Sequence, residues 1–227
     1  MKTKIVAIVP MRHASERVPG KNYRLFAGEP LYRRIISSLL GCKDINAVMI
    51  DTDSDTIMED AAKVFPLVIL YRRPDCLRDE MTPMNDVLLN SVEQIDADYY
   101  LQSHSTNPLL SSHSISTAIK TFTAQVPKYD SLFSVTRLQT RLWIDNAKPL
   151  NHDPSVLLRT QDLEPVFEEN SCMYIFNKAS LKKHGNRIGA RPMMFEIDKL
   201  EAQDIDDEPD FQLTEALYLQ STNKGLN

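Results

Sequence analysis

Ile5-Val6-Ala7-Ile8-Val9-Pro10-Met11-Arg12-His13-Ala14-Ser15-Glu16-Arg17-Val18-Pro19-Gly20-Lys21-Asn22 is the stretch on which the fold reading turns. The apolar run 5–9 reads as a strand buried on both faces. A cationic loop follows at once: Arg12, Arg17, Lys21 and Arg24 fall close together in a chain whose formal net charge is −5. In open α/β sheets, ligands bind beyond the carboxyl ends of the strands, which is where this loop lies. Guanidinium forks, an ammonium and backbone N–H groups together suit a polyphosphate. Lys21 follows Gly20, but Ser15 stands where an ATPase P-loop has its first glycine and Asn22 where it has Ser or Thr. That motif therefore fails, and the GxGxxG dinucleotide fingerprint is absent.

Outward from this loop, short β-type runs alternate with segments of helical period. Residues 30–40 carry Leu31, Ile35, Ile36, Leu39 and Leu40 at helical spacing, and 47–50 reads as a second strand. Asp53 or Asp55 is placed to cap a helix burying Ile57, Ala61 and Val64. A strand at 68–71 leads to Thr82-Pro83, an N-cap followed by proline at the first helical position. Met84, Val87, Leu88, Ser91, Val92 and Ile95 share one face beyond it. Strands at 99–102 and 131–135 flank a helix opening at Ser112, and 172–176 and 193–197 complete the set, with a last helix opening at Pro209. The expected fold class is α/β: a mostly parallel sheet with helices on both faces, in a single domain over 1–227. Residues after Val9, Ile50, Tyr71 and Gln102 should surround one crevice. From 137 to 170 the rhythm breaks into an extended arm that is too apolar to remain solvated. Leu142, Trp143, Ile144, Leu157 and Phe167 are among its residues.

Bulk properties narrow the classes. With 42% hydrophobic residues the chain can bury a sizeable core, and its acidic balance argues against non-specific nucleic-acid binding. The first apolar run is shorter than the roughly 7–15 residues of a secretory core. No run approaches the ~18 needed to span a bilayer. Cys42, Cys76 and Cys172 are odd in number and widely spaced, the pattern of reduced thiols in a cytoplasmic protein.

Before the last helix, Gln203-Asp204-Ile205-Asp206-Asp207-Glu208 concentrates carboxylates. In an extended segment Asp204 and Asp206 point the same way. Two such oxygen ligands suit Mg²⁺, which completes its shell with water and phosphate oxygens. Asp207 and Glu208 are accounted for by a favourable interaction with the helix dipole.

The run R-H-A-S-E-R-V-P-G-K-N, residues 12–22, resembles the N-terminal signature of the CMP-sugar synthetases, which comprise acylneuraminate cytidylyltransferases and the related enzymes for the eight-carbon acid KDO. Further matches follow in order. They are Leu25-Phe26-Ala27-Gly28-Glu29-Pro30-Leu31, Asp51-Thr52-Asp53, Arg73-Pro74 with Leu77 and Asp79, and Thr106-Asn107-Pro108-Leu109. Glu169-Asn170-Ser171-Cys172-Met173-Tyr174-Ile175 and Asp204-Ile205-Asp206 with Asp210-Phe211 complete the series. The resemblance covers nearly the whole chain. It implies a Rossmann-like nucleotidyltransferase sheet and transfer of CMP from CTP to a sialic-acid-type nonulosonic acid, with release of pyrophosphate. It implies CTP contacts from Arg12, Ser15, Lys21, Asn22, Arg73 and Asp79, and sugar contacts from Gln102, His104 and Tyr174. Asp204 and Asp206 would hold Mg²⁺; Arg12, Lys21 and Asp206 would carry the chemistry. A homodimer built through the arm at 137–170 is implied as well, with Arg159, Gln161 and Asp162 near the shared boundary.

Two features point to different acceptors. Thr106 and Asn22 follow the acylneuraminate pattern, since KDO enzymes carry an aspartate and a proline there. Ala14-Ser15, Arg17 and Pro19-Gly20 look KDO-like. His104 stands in place of a substrate-binding glutamine unless Gln102 takes that role. Glu16 replaces a lysine, and Ser171-Cys172 replaces Gly-Ala. Another 2-keto-3-deoxy acid, KDO included, is the alternative acceptor, and a non-catalytic nucleotide-sugar-binding homologue the alternative class.

Overall fold

The structure, a computed structural model, describes residues 3–224. Residues 1–2 and 225–227 of the expected domain lie outside that range. Eleven strands form in chain order. They are β1 (Ile5–Met11), β2 (Leu25–Phe26), β3 (Glu29–Pro30), β4 (Ala47–Thr52), β5 (Ile69–Arg72), β6 (Tyr99–Ser103), β7 (Ser131–Leu138), β8 (Trp143–Ile144), β9 (Lys148–Pro149), β10 (Val166–Phe176) and β11 (Pro192–Glu196). The helices are α1 (Tyr32–Gly41), α2 (Asp55–Val64), α3 (Met84–Ser91), α4 (Ser112–Thr123), α5 (Lys178–His184) and α6 (Glu208–Lys224).

Seven strands make one sheet in the order β11-β7-β10-β6-β1-β4-β5. β10 runs antiparallel to both β6 and β7, and every other pairing in the sheet is parallel. All seven residues of β1 are buried, as its uninterrupted apolar run requires. Its side chains divide between two cores by the two-residue period of a strand. Ile5, Ala7, Val9 and Met11 pack with Ile35, Ile57 and Ile115 from α1, α2 and α4. Val6 and Ile8 face Leu88 of α3 and Leu181 of α5 on the other side. A third cluster, Val18, Phe26, Leu31, Ile205 and Phe211, joins the first loop to α6. The expected mostly parallel sheet with helices on both faces is what forms.

Two capping expectations shift. Ser54, not Asp53 or Asp55, caps α2, its hydroxyl accepting from the Ile57 N–H at 3.3 Å. Asp53 is occupied instead, accepting from the His13 N–H at 2.7 Å. α3 opens at Met84 because Pro83 keeps an extended ψ of 138°, and it ends at Ser91. Ile95, beyond that end, still packs on the second core.

The stem of the arm is sheet: Leu138 pairs with Val166 and Arg137 with Phe167. The irregular part narrows to 139–165 and holds the small β8–β9 hairpin. Asn151 braces it, accepting from the Leu142 N–H and donating to the carbonyls of Thr140 and Glu164. Leu163 is buried, but Trp143, Ile144, Leu150, Val156, Leu157 and Leu158 are exposed, Leu157 by 90%.

Candidate active site

A crevice of about 370 Å³ opens at the carboxyl ends of β1, β5 and β6. Arg12, Ser15, Lys21, Asn22, Arg73, Asp79, His104 and Thr106 are among the residues lining it. The expectation of one crevice there holds for the segments after Val9, Tyr71 and Gln102. The segment after Ile50 lies beneath it: Asp51 is buried and bonded to Arg73.

The first loop is held by many short contacts. Gly20 has φ +65°, and a Cβ there would stand 2.7 Å from the Tyr23 ring, so glycine is required for both reasons. The turn buries Lys21 and Asn22. Lys21 Nζ donates to the Ile205 carbonyl at 2.5 Å. Asn22 Nδ2 donates to the Arg12 carbonyl at 2.7 Å, and Ser105 Oγ donates to Asn22 Oδ1 at 2.6 Å. Burial lowers the Lys21 pKa, while the charges of Asp204 and Asp206 push the other way. Two of the four loop cations are spoken for. Arg17 pairs with Asp206 at 2.7 Å, and Arg24 forks onto Glu208 at the start of α6 at 2.5 and 2.8 Å. Arg12 takes part in no ion pair among the described residues. The neighbouring Glu16 carboxylate pushes the Glu80 pKa upward.

Arg73 is engaged below the crevice. Its Nε donates to Asp51 Oδ1 at 2.8 Å, both side chains being at most 2% exposed, and Ser91 Oγ donates to the other oxygen of Asp51. Asp79 accepts from the Met81 N–H at 2.8 Å.

Asp204 and Asp206 line a neighbouring hollow with Glu168, Glu169 and Asn170. Asp204 Oδ1 is buried without a partner. Desolvation raises the Asp204 pKa. Among the described residues no group of three or more His, Cys, Asp or Glu side chains is placed to hold a metal. An unsatisfied buried carboxylate oxygen beside a second carboxylate fits a hard cation that takes its remaining ligands from water and phosphate.

Gln102, His104 and Tyr174 come together, His104 lining the crevice while Gln102 and Tyr174 are buried, and the structure adds Arg187, which the sequence reading did not single out. Arg187 Nη1 donates to Gln102 Oε1 at 2.6 Å, and its guanidinium lies 3.6 Å over the Tyr174 ring. Because arginine only donates, the Gln102 carbonyl must face it and the Gln102 amide nitrogen must face His104 Nε2, at 2.7 Å. The imidazole accepts and is therefore neutral. Desolvation pulls the His104 pKa down to about 4, with Arg187 acting in the same direction. Tyr174 hydroxyl donates to Glu169.

A bulge in β10 makes this cluster possible. Ser171 has φ +58°, and the register shifts between Glu169 and Tyr174. Asn170 takes over the interrupted ladder: its Oδ1 accepts from Ser134 Oγ at 2.6 Å, and its Nδ2 donates to Thr136 Oγ1 at 3.0 Å.

Residues 6–223 match the cytidylyltransferase family. The chain belongs to that family. It is 26% identical over its whole length to the N-acylneuraminate cytidylyltransferase of Oncorhynchus mykiss, of which it covers 53%. It is 24% identical to the pseudaminic acid cytidylyltransferase of Campylobacter jejuni, over 95% of this chain and 96% of that protein. The chain thus spans about half the length of the acylneuraminate relatives and nearly all of the pseudaminic one. A CMP:2-keto-3-deoxy-manno-octonic acid synthetase complexed with CTP superposes with a TM-score of 0.71 at 14% identity, over 96% of this chain and all of that one. A 4-diphosphocytidyl-2C-methyl-D-erythritol synthase from Anaerococcus prevotii gives 0.69 at 13%, over 96% and 97%. These two likenesses establish the nucleotidyltransferase-like fold and carry no statement about substrate. No helix among the described residues is long and apolar enough to cross a membrane.

Proposed function

We infer that the protein transfers CMP from CTP to a nonulosonic acid of the sialic or pseudaminic type, releasing pyrophosphate. The observation carrying this is the crevice of a cytidylyltransferase-family chain, lined by Arg12, Lys21, Asn22 and His104. His104 is hydrogen-bonded to the buried Gln102, which Arg187 joins to Tyr174. In this reading Arg12 and Lys21 take the phosphates of CTP, and Ser15 and Asn22 shape the loop around them. The buried Asp51–Arg73 pair fixes the crevice floor, and Asp79 stands at its edge. The Gln102 and His104 side chains orient the acceptor so that its anomeric hydroxyl meets the α-phosphorus. Catalysis is then chiefly positioning and charge stabilisation.

Asp204 and Asp206 would hold Mg²⁺, which when bound would neutralise charge on the reacting phosphates. The reading includes a reducing, cytoplasmic setting for the three unpaired cysteines. It also includes a homodimer in which the exposed apolar residues of the arm cover those of a second copy.

Pyrophosphate release from each nucleoside triphosphate, with a panel of 2-keto-3-deoxy sugar acids that includes KDO, tests the reading. CTP with a nine-carbon acid should be turned over, and Asp206→Asn should lower kcat by at least ~10². Turnover of KDO alone would move the acceptor to the alternative class. Binding of CTP without pyrophosphate release for any acid would make the protein a nucleotide-sugar-binding homologue. Undiminished activity in EDTA would remove the metal.

A further inference from the structure

Arg24, Arg33, Arg34, Arg73 and Arg78, all buried or half-buried, are each paired with a carboxylate. Arg187 is half-buried too, in a chain with more acidic than basic residues, yet like Arg12 of the crevice and Arg141 of the arm it is in no ion pair among the described residues. Its neighbours are neutral: the Gln102 carbonyl and the face of Tyr174. The nearby Glu169 carboxylate is occupied by the Tyr174 hydroxyl. The Arg187 backbone N–H donates to Asn85 Oδ1 at 3.2 Å, and Asn85 lies between Met84 and Val87, which both border the crevice. The guanidinium is thus locked by a ring on one face and an amide on one nitrogen, while its remaining donors lack an anion.

A planar fork held in this way is pre-organised for bidentate binding of a carboxylate. Resting on the function read above, we propose that Arg187 receives the carboxylate of the acceptor and is the residue that selects a sugar acid over a neutral sugar. Gln102 positions it, and His104 positions Gln102 by accepting its amide. The carboxylate carbon of a 2-keto acid is bonded to the carbon bearing the attacking hydroxyl, so anchoring the one restricts the other.

The test compares wild type with Arg187→Gln and Arg187→Lys, using the acid turned over fastest in the panel and its 1-carboxamide. Wild type should prefer the acid over the amide by about 10- to 100-fold in kcat/KM, the scale of one charge-assisted contact. Arg187→Gln should raise the KM for the acid by a similar factor, leave CTP affinity unchanged and abolish the preference for the acid. Arg187→Lys should retain part of it. CTP affinity measured by calorimetry reports that each variant is folded. An acid-over-amide preference that survives in Arg187→Gln overturns the assignment and leaves only a structural wall residue. A wild type that turns over no sugar acid at all overturns the functional reading instead, and the assignment with it.

Discussion

Two irregular stretches of this chain have opposite fates. The first loop, 12–22, is polar and cationic, yet it buries Lys21 and Asn22, is tied to the acidic turn at 205–206 by Lys21 and Arg17, and nearby Arg24 reaches Glu208 at the start of α6. The arm, 139–165, is rich in large apolar residues, yet it leaves six of them exposed. Burial in the loop follows from partners: Lys21 Nζ finds the carbonyl of distant Ile205, and Asn22 Nδ2 finds the Arg12 carbonyl within the loop. In the arm the sheet ladder of the stem ends at Leu138 and Val166, and the hairpin beyond is a two-stranded sheet of its own, separate from the central one. Apolar character alone does not decide what is inside.

The contrast is broken most sharply at the floor under the loop. Arg73→Met should leave Asp51 charged and unpaired in the core, costing about 3–5 kcal/mol of stability in a denaturant melt. A loss below 1 kcal/mol would mean that water reaches this pair. Next, Lys21→Ala should weaken CTP binding by roughly 1.5–3 kcal/mol in calorimetry. Affinity unchanged from wild type would make the loop merely structural.

A pH series sharpens the picture at the sugar end. The His104 pKa is depressed from 6.5 to about 4 in the fold, so the unfolded chain binds more protons between those values. His104 therefore contributes stability above about pH 6.5 that is lost as pH falls toward 4. His104→Gln should flatten that part of the curve of melting temperature against pH, and an unchanged slope would count against the neutral imidazole. Ser171→Gly should stabilise by about 1 kcal/mol, because glycine adopts the left-handed backbone without a Cβ penalty. The smallest effect belongs to the arm. Leu157→Asp should change protomer stability by less than about 0.5 kcal/mol, as befits an exposed site. Sedimentation should nevertheless shift from dimer toward monomer, and a single species near 26 kDa for wild type would refute the dimer.

The strands and helices were legible because their signals are local. The run 5–9, the helical spacing of Ile35, Ile36 and Leu39, and that of Ile115, Ala118, Ile119 and Phe122 each describe a surface that must be buried. The cationic loop and the acidic turn could be found for the same reason, as each is a cluster within a few residues. The Ser54 cap was missed because three oxygen-bearing side chains stand in a row there, and only His13, forty residues upstream in the chain, decides which remains for the helix.

Sequence by itself determined the alternating architecture, the place of the crevice at the strand ends and the polar residues gathered there, because periodicity and local charge are properties of neighbours along the chain. Only the tertiary structure decided how those residues are used. It paired Arg17 with Asp206 and Arg24 with Glu208, put Arg73 under the floor, left Asp204 Oδ1 without a partner and brought Arg187 onto Tyr174 and Gln102. The physical reason is that a charge responds to whatever lies within a few ångströms, and what lies there, the Asp206, Glu208, Asp51 and Gln102 that meet these arginines, comes from 22 to 189 residues away in the sequence.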